Sequence, residues 1–531
     1  MTIDVILLSG MGPSGLSDGD LIGTRFDRRF TDSDITEMYS MGDTSYDPLN
    51  LSYASKPVFR KSNKRADTLV TRVLESILNS HNIQFESLNL NLVWNSEKVD
   101  TKEAKVICLS TTFMWSEHML NLALKWIRET FTYTHLVLGG KYASLKKEKL
   151  MEQHPEIDYI IVGDGETALP LLIKHLLSED HNLHEIPNLI YRDEGKFVSC
   201  AVQEEAIEEL PCTKYNKQQD VVMYESVRGC VFHCKFCAWS VGMERFRSKS
   251  AEKILAEWKT YINENGAKEI QVVDSTFFIP PQRMSLLLDQ LPALNIKWKA
   301  NARTDIPISH EFVRKLEKSG CVSLKFGFES MSDEVLRYID KRSTAENNRR
   351  VNQYFKESSI DTIVSFIVGF PGETPIDFAE TEAFILHELF GHFHLYIFEL
   401  EDECMPIWEE RDIYKLQVFH DKFDSERPWE HGGTCWSHKG MTSLQAEELK
   451  KRLLVTLRKS KNLAVHRTWQ GGFESPILPT LNRETNIKVE KLLDQLIYLP
   501  VDYKVHTEEY DRKLLDIVSE LSDYGLKWSN N

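Results

Sequence analysis

Cysteine is scarce in this sequence, and its distribution is uneven. Nine cysteines occur in 531 residues, and three of them fall at positions 230, 234 and 237. An odd number with a local cluster is not the pattern of a disulfide framework. We therefore expect a reducing compartment, the cytoplasm, and a special role for the three clustered thiols.

Long apolar runs and an excess of basic residues are also missing. No apolar run approaches the ~20 residues that cross a bilayer, and the first eight residues include an acid, Asp4, and no basic residue. They predict a first strand and not a signal peptide. Lysine and arginine total 64 against 80 acidic residues, a formal charge of -16. This balance disfavours a broad phosphate-binding surface, so we expect neither a nucleic acid nor a membrane as partner.

The chain is too long for a single hydrophobic core. At 531 residues, two or three domains are the natural expectation. A hydrophobic content of 42% and a charged content of 27% are ordinary for a globular protein.

The three clustered cysteines have a C-x3-C-x2-C spacing and directly follow a predicted strand at 221–226. Thiolates this close on one loop can reach three corners of one inorganic cluster. A fully ligated iron–sulfur cluster takes four protein ligands, so three ligands leave one iron open to a substrate or cofactor. Two other interpretations remain: cysteines clustered by chance, or a zinc knuckle completed by His233 or Cys212.

Strands and helices alternate in the first two hundred residues. Apolar runs at 4–9, 85–90, 105–110, 135–139 and 159–162 are separated by amphipathic segments such as 66–79 and 117–131. This alternation predicts an α/β domain with a parallel, doubly wound sheet of Rossmann or flavodoxin type. Residues 13–64 have no assignable pattern and are interpreted as a lid or an insertion.

Ligands of such sheets bind beyond the carboxyl ends of the strands. After three of the predicted strands the residues are mostly small or hydroxylic, which lets a backbone approach a large flat ligand closely. These residues are Ser110, Thr111, Thr112, Gly139, Gly140, Ser144, Gly163, Gly165 and Glu166.

A second alternation begins at the cysteine loop. Six predicted strands, at 221–226, 269–273, 297–302, 323–328, 362–368 and 392–398, alternate with five helical segments. Six such units predict a parallel barrel or part of one, with its chemistry at the strand ends. The fourth strand ends in Gly-Phe-Glu-Ser at 327–330, and the fifth is followed by Gly-Phe-Pro-Gly-Glu-Thr at 369–374.

The last hundred residues predict a small helical cap. Thr442 and Gln445 form a capping box at the start of one helix, and further helices are expected at 488–496 and 508–521.

An aromatic loop at 429–438 precedes this cap. We expect it to close over a substrate cavity, with Trp436 and His438 lining that cavity. A metal site formed by His431, Cys435 and His438 is the alternative interpretation of the same loop. Cys404 and Cys435 are also possible reactive thiols, although a buried inert cysteine is commoner.

With Phe236 just before its third cysteine, the cysteine loop resembles the signature of the radical S-adenosylmethionine (SAM) superfamily. The elements at 327–330 and 369–374 are similar to features of that superfamily. Ser-Thr-Thr at 110–112, Gly-Gly-x-x-Ala-Ser at 139–144 and Gly-x-Gly-Glu at 163–166 resemble the cobalamin-binding domain of one branch of it. The resemblance implies a cobalamin-binding domain at 1–205, a partial (β/α)6 radical SAM core at 206–405 and a helical domain at 406–531.

The resemblance also implies the cofactors and their contacts. A 4Fe-4S cluster would be bound by Cys230, Cys234 and Cys237, and cobalamin by the strand-end residues of the first domain named above. SAM would contact the cluster loop and the barrel strands, at Phe236, Asn301, Arg303, Gly327, Glu329, Ser365 and Gly369.

One motif of many cobalamin proteins is absent. The sequence D-x-H-x-x-G, whose histidine ligates cobalt, does not occur in residues 1–205. We therefore expect cobalamin without a histidine ligand, and interpret His118 and His135 as surface or helix residues.

The implied activity is transfer of a methyl group from methylcobalamin to an unactivated carbon or phosphorus, through a 5′-deoxyadenosyl radical. The substrate would be a small molecule or peptide, and the electron donor a flavodoxin or ferredoxin. Rearrangement or cyclisation with the same cofactors shares every motif and remains an alternative. A non-catalytic iron–sulfur sensor is a third, against which the intact cysteines and Glu329 argue.

Overall fold

The computed structural model describes residues 3–10, 38–41, 44–58, 69–90, 102–114, 117–178, 182–215, 218–237, 245–400, 403–419, 435–466 and 481–528. Two seven-stranded sheets dominate this part of the chain, and a smaller unit is formed near the C-terminus. Within the described ranges, none of the helices combines the length and the apolar character that crossing a membrane requires.

The elements of the first two hundred residues follow in chain order. They are β1 (Ile3–Ser9), β2 (Ser40–Met41), β3 (Thr44–Ser45), β4 (Leu51–Tyr53), β5 (Lys56–Pro57), α1 (Leu69–Ser80), β6 (Phe85–Asn89), β7 (Lys102–Ser110), α2 (Glu117–Thr130), β8 (Phe131–Gly139), α3 (Lys141–Lys146), α4 (Glu148–Gln153), β9 (Tyr159–Ile161), α5 (Ala168–Ser178), β10 (Leu189–Asp193) and β11 (Lys196–Ser199).

The first domain is built on a sheet with the strand order β11-β10-β9-β8-β7-β1-β6. The five predicted strands pair in parallel, and β10 and β11 add an antiparallel hairpin at one edge. Neighbouring residues of a strand enter different cores, as side chains alternate across a sheet. Ile6 and Leu138 lie in one core, and Val5 and Val137 lie in the other. The predicted doubly wound sheet is confirmed, and the hairpin was not predicted.

The elements from residue 221 to residue 466 form the second domain. They are β12 (Val221–Tyr224), β13 (Val227–Arg228), β14 (Arg247–Ser248), α6 (Ala251–Asn265), β15 (Glu269–Val272), α7 (Pro281–Gln290), β16 (Lys297–Ala302), α8 (His310–Lys318), β17 (Cys321–Glu329), α9 (Asp333–Ile339), α10 (Ala345–Lys356), β18 (Asp361–Val368), α11 (Pro375–His387), β19 (Gly391–Ile397), α12 (Pro406–Glu409), α13 (Arg411–Tyr414), β20 (Gln417–Phe419), β21 (Cys435–Ser437), α14 (Ser443–Lys459) and β22 (Ala464–His466).

This barrel domain has seven parallel strands in the order β12-β15-β16-β17-β18-β19-β22. The six predicted strands are confirmed as a partial barrel. The seventh, β22, was not predicted, and α14 brings Ala446 and Leu453 into the barrel core. The packing of the barrel therefore continues beyond residue 405, where we had expected its boundary.

Aromatic side chains fill the space between the barrel strands and their helices. Trp258 and Trp298 are fully buried and flank Phe277 at ring-centroid distances of 6.4 and 5.5 Å. Burying each such side chain contributes about 2–3 kcal/mol. This core holds the strand ends, and hence the loops after them, in fixed positions.

The C-terminal unit consists of α15 (Arg483–Asp502), α16 (Glu508–Asp523) and β23 (Leu526–Trp528). Its core also contains residues from the stretch at 13–64 that had no assignable pattern. β23 pairs with β4, the Tyr39 hydroxyl donates to the Ile497 carbonyl at 2.8 Å, and the Tyr510 hydroxyl donates to the Met38 carbonyl at 2.6 Å. The predicted helices are present, and an early part of the chain completes them.

Candidate functional site

The cysteine loop lies at the carboxyl end of the first barrel strand, β12, between the short strands β13 and β14. Cys234 is buried, and Cys230 and Cys237 are partly exposed. The Cys237 amide donates to the Cys234 carbonyl at 2.9 Å, and the Lys235 amide donates to Ile339 at 2.9 Å. The loop is thus anchored by backbone hydrogen bonds while two of its thiols stay accessible.

No three His, Cys, Asp or Glu side chains in the described ranges are arranged so as to hold one metal ion. In an iron–sulfur cluster the thiolates bind different irons, so the sulfurs need not converge on one point. Cys212, considered above as a fourth zinc ligand, lies instead against Tyr261.

Arg303 directly follows β16 and contacts two residues of the cysteine loop. Its guanidinium stacks on the Phe232 ring at 3.5 Å and lies 3.5 Å from the Cys234 sulfur. Asp305 binds the same guanidinium at 2.8 Å. Burial alone would lower the pKa of Arg303, but Asp305 and Cys234 raise it overall. Arg303 thus places a positive charge beside the sulfur of Cys234.

Glu329 ends β17 in a left-handed backbone conformation, with φ of 61°. Its carboxylate is buried and receives the Lys341 ammonium at 2.7 Å. Lys341 also lies over the Phe236 ring, 5.9 Å from its centroid. A β-carbon at Gly327 would meet the Glu329 carboxylate and the Lys341 ammonium, so a larger residue there would displace this ion pair. Gly327, Glu329 and Phe236, all predicted SAM contacts, are brought together, and Lys341 joins them.

Asn301 on β16 and Ser365 on β18 lie on the two strands that flank β17 in the same sheet. The Asn301 amide donates to the Asp274 carbonyl at 2.7 Å, and the Ser365 hydroxyl lies 3.5 Å from the Phe326 carbonyl. The Asp274 side chain accepts the Ser226 and Val227 amides at 2.7 and 3.0 Å. Burial raises the pKa of Asp274 to about 6. This carboxyl group fixes the entry to the cysteine loop.

The turn after β18 depends on buried polar groups. The Gly369 amide donates to Glu373 at 2.5 Å, and burial raises the pKa of Glu373 to about 8. His438 accepts the Gly440 amide at 3.0 Å on Nδ1 and donates from Nε2 to the Gly369 carbonyl at 3.1 Å. Burial lowers its pKa to about 4, so the ring is neutral.

Trp436 lies in the core and not in a mobile lid. It is 2% exposed, donates from Nε1 to the Phe398 carbonyl at 2.7 Å and stacks on His438 at 5.1 Å. A β-carbon at Gly369 would collide with its ring. These contacts make Trp436 and His438 supports of the Gly369 turn, where we had expected lid residues. His431 and the two loop glycines lie outside the described residues.

The predicted cobalamin residues of the first domain meet at one end of its sheet. The Thr111 hydroxyl donates to the Gly139 carbonyl at 2.7 Å, and the Ser144 hydroxyl donates to the Gly140 carbonyl at 2.8 Å. Ser144 also accepts the Gly163 amide at 2.9 Å. Ser110 and Thr112 have a longer hydroxyl contact of 3.3 Å. Hydroxyl groups thus join the three strand-end loops into one surface.

Two glycines leave room above this surface. A β-carbon at Gly163 would have nothing within 4 Å, and one at Gly165 would meet only an Ile161 side-chain atom at 3.8 Å. Gly140 differs, because a β-carbon there would lie 2.7 Å from the Thr112 amide. The open cradle at 163–165 fits a large flat ligand, whereas Gly140 is required for packing.

Glu166 has a partner that the sequence did not predict. Its carboxylate is buried and receives Arg228, the second residue before Cys230, at 2.5 Å. The neighbouring Asp164 binds both Arg228 and Arg247. Glu166 thus contacts the barrel domain through Oε1, whereas its Oε2 has no hydrogen-bond partner among the described residues, and its corrinoid contact stays a prediction. The position of Arg228 directly before Gly-Cys was the available signal, and no motif indicated Lys341.

Of the two histidines of the first domain considered above, only His135 has a described side chain. His135 lies on β8 and packs edge-on against Tyr159 at 5.9 Å. The side chain of His118 lies outside the described residues.

Comparison with known proteins agrees with this architecture. Residues 224–385 match the family model of the Radical SAM superfamily. The chain is 29% identical over 283 residues to the uncharacterized methyltransferase PH0819 of Pyrococcus horikoshii, a match that covers 50% of this chain and 60% of that protein. The chain thus spans less than two thirds of the length of this curated relative.

Two solved structures share the fold over most of the chain. The radical SAM methyltransferase TsrM of Kitasatospora setae, with tryptophan substrate and a SAM analog bound, has a TM-score of 0.60 at 16% identity, covering 88% of this chain and 98% of that one. The cobalamin-dependent SAM radical enzyme OxsB, with aqua-cobalamin bound, has a TM-score of 0.59 at 15% identity, covering 99% and 82%. The predicted radical SAM core and the doubly wound domain before it are confirmed.

Proposed function

We propose that this radical SAM chain is a cobalamin-dependent methyltransferase that alkylates an unactivated carbon or phosphorus of a small molecule or peptide. One observation carries the proposal: the loop with the three cysteines directly contacts the strand-end loop of the first domain, through Arg228 and Glu166. This contact supports the proposal that the two cofactor sites face one another, as transfer between two cofactors and one substrate requires.

Cys230, Cys234 and Cys237 would hold a 4Fe-4S cluster. The donor set fits, because thiolates are the protein ligands of such clusters, and Arg303 supplies positive charge 3.5 Å from the Cys234 sulfur. Three protein ligands leave one iron for SAM.

SAM would lie against Glu329, Gly327 and Phe236. The fit rests on a buried carboxylate whose direction is fixed by its backbone and by Lys341. The turn at 369–373, supported by His438, would contribute backbone groups to the same pocket. Asn301 and Ser365 would complete it from the neighbouring strands.

Cobalamin would lie on the surface made by residues 110–112, 139–144 and 163–165. The fit rests on the open space at Gly163 and Gly165. His135 packs on Tyr159, in keeping with a corrinoid that has no histidine on cobalt.

When bound, the two cofactors would supply a 5′-deoxyadenosyl radical and a methyl group. The task of the chain is positioning, electrostatic control and exclusion of water. Arg303 would place a positive charge beside the Cys234 sulfur, and Glu329 with Lys341 would orient SAM. The neutral His438 and the buried Glu373 would hold the turn beside it without adding charge.

The substrate would enter between the two sheets. The tryptophan substrate of TsrM is consistent with a small molecule, and a peptide is the other class we propose. An acidic chain of formal charge -16 is suited to neither nucleic acid nor a broad phosphate surface. We also propose a flavodoxin or ferredoxin as electron donor, and the cytoplasm as compartment.

The test is anaerobic reconstitution with iron, sulfide, hydroxocobalamin, SAM and a low-potential reductant, followed by mass analysis. We expect 5′-deoxyadenosine, methionine and, from remethylation of cobalamin, S-adenosylhomocysteine. 5′-deoxyadenosine without S-adenosylhomocysteine would favour rearrangement or cyclisation. Loss of SAM cleavage despite a full complement of cluster would support a sensor and overturn the enzymatic proposal.

A further inference from the structure

Two arginines lie opposite each other at the base of the loop that contains all three cysteines. β13 and β14 form a two-stranded hairpin in which Arg228 pairs with Arg247, and the cysteines lie in the segment between them. Both guanidinium groups reach the first domain and donate to one carboxylate, that of Asp164. A single side chain of the first domain thus binds both ends of the cysteine loop.

Both oxygens of Asp164 are used. Oδ1 lies 3.1 Å from Arg228, and Oδ2 accepts Arg247 and, at 2.8 Å, the Glu205 amide. The side chain is 5% exposed. With its lone pairs directed at the barrel domain and at its own chain, Asp164 is not oriented toward a ligand above the sheet.

Glu166 completes the arrangement from the same loop. Its Oε1 lies 2.5 Å from Arg228 Nη2, and Glu225 binds the Nε of the same arginine at 2.9 Å. Arg228 therefore contacts three carboxylates. We refer to Asp164, Glu166, Arg228 and Arg247 as the interdomain ion-pair cluster.

The charges of this cluster depend on one another. Burial alone would raise the pKa of Asp164, but Arg228, the Glu205 amide and Arg247 lower it. Burial alone would lower the pKa of Arg228, but Glu225, Glu166 and Asp164 raise it well above its ordinary value. Removing one carboxylate leaves the buried positive charge only partly compensated, which costs more than an exposed ion pair contributes.

We propose that Asp164 and Glu166 are positioning residues that set the cysteine loop against the cobalamin surface. The proposal rests on the proposed function. Asp164 and Glu166 are adjacent in sequence to Gly163 and Gly165, where we expect the corrinoid. Their partners Arg228 and Arg247 lie at the two ends of the loop expected to bind the cluster. The distance between the two cofactors would then be set by side chains that touch neither of them.

Hydrogen exchange of the cofactor-free protein tests this directly. We expect Asp164→Asn to raise amide exchange at residues 229–237 by about tenfold or more, because the base of the loop can then open locally. Glu388→Gln is the matched control, because it removes an exposed ion pair with Arg349 on the barrel surface and leaves exchange at 229–237 unchanged. If Asp164→Asn folds and its exchange at 229–237 equals that of the wild type, the positioning role is wrong.

Two further variants protect the test against a folding failure. Arg228→Lys keeps the charge but loses the forked geometry, so we expect an intermediate rise in exchange.

Glu166→Gln separates positioning from cobalamin contact. We expect its affinity for hydroxocobalamin to stay within about threefold of the wild type while exchange at 229–237 rises. A large loss of hydroxocobalamin affinity with unchanged exchange would show a cofactor contact instead.

These outcomes do not depend on turnover. If the wild type failed to cleave SAM, the proposed function would fall, whereas the exchange experiment would still show whether the ion-pair cluster holds the loop. If the wild type were active and Asp164→Asn lost substrate alkylation but kept 5′-deoxyadenosine formation, uncoupling would support the positioning role.

Discussion

Lys341 places its ammonium 2.7 Å from the carboxylate of Glu329, and both side chains are buried. Glu329 ends β17, before α9 in the chain, and Lys341 lies in the loop after α9. Lys341 also contacts Phe236 of the cysteine loop, and its carbonyl accepts Arg303. Lys341 therefore contacts Glu329 of β17, Arg303 directly after β16 and Phe236 of the cysteine loop.

The first prediction concerns this lysine. Lys341→Met should leave Glu329 as an uncompensated buried charge and lower the free energy of unfolding by about 3–5 kcal/mol. It should also weaken SAM binding to the reconstituted protein, because the carboxylate is no longer held in one orientation. Urea denaturation and calorimetric SAM titration measure the two effects.

Lys268→Met is the control for this substitution, because its ion pair with Asp220 is exposed and should contribute less than about 1 kcal/mol. Equal stability of Lys341→Met and Lys268→Met would show that the Glu329 pair is not energetically important.

Regular elements could be predicted from the sequence because their periodicity is local. Ile6 and Val5 enter opposite cores, and such alternation of apolar residues is visible without any tertiary knowledge. The cysteine spacing was equally local. The three-residue strand β22 is too short for such a signal, and its pairing with β19 joins distant positions such as Gly391 and Ala464.

Pairs of distant residues were not predictable for the same reason. Asp164 and Arg228 are 64 positions apart, and Met38 and Tyr510 are 472 apart. A single sequence contains nothing that links such positions, because their contact is set by how whole domains pack. Glu166 was consequently interpreted from its neighbouring glycines alone, and its ion pair with Arg228 is evident only from the structure.

The second prediction concerns the thiols. Changing Cys230, Cys234 or Cys237 to Ala should abolish the brown absorbance of the reconstituted cluster and the formation of 5′-deoxyadenosine, since each would remove one of three ligands. Cys200→Ala is the control, because this cysteine belongs to the first domain, where its thiol lies 3.4 Å from the Leu183 carbonyl. Any of the three loop variants that bound iron and sulfide at the wild-type ratio would refute the cluster assignment.

The third prediction concerns the cobalamin cradle. Gly165 has open space where a side chain would stand, so substitution by Ala, Val and Leu should leave the fold intact and progressively fill the cradle. We expect hydroxocobalamin affinity to fall in that order, by about tenfold or more for Leu, because a steric overlap replaces a backbone contact. Absorbance titration gives the affinity, and circular dichroism checks the fold. An affinity that did not depend on side-chain size would place the corrinoid elsewhere.

The last prediction concerns the proton of His438. Its Nε2 lies 3.1 Å from the Gly369 carbonyl, which can only accept, while Nδ1 faces backbone amides of Gly440 and Gly372 at 3.0 and 3.3 Å. Amides can only donate, so Nδ1 must be unprotonated. Geometry and burial therefore agree that the folded state holds a neutral ring, and burial lowers the pKa from 6.5 to about 4.

The consequence is a defined loss of stability in acid. Between pH 6.5 and about 4 the unfolded chain binds a proton at this ring and the folded chain does not, so stability falls as the pH falls. A single such group contributes a slope of about 1.4 kcal/mol per pH unit. Denaturation of His438→Gln across this window should show a slope smaller by that amount, whatever its stability at neutral pH. His310→Gln changes an exposed histidine and should follow the wild type. Identical slopes in wild type and His438→Gln would mean that the folded protein protonates His438 freely, and that the Gly369 turn does not depend on a neutral ring.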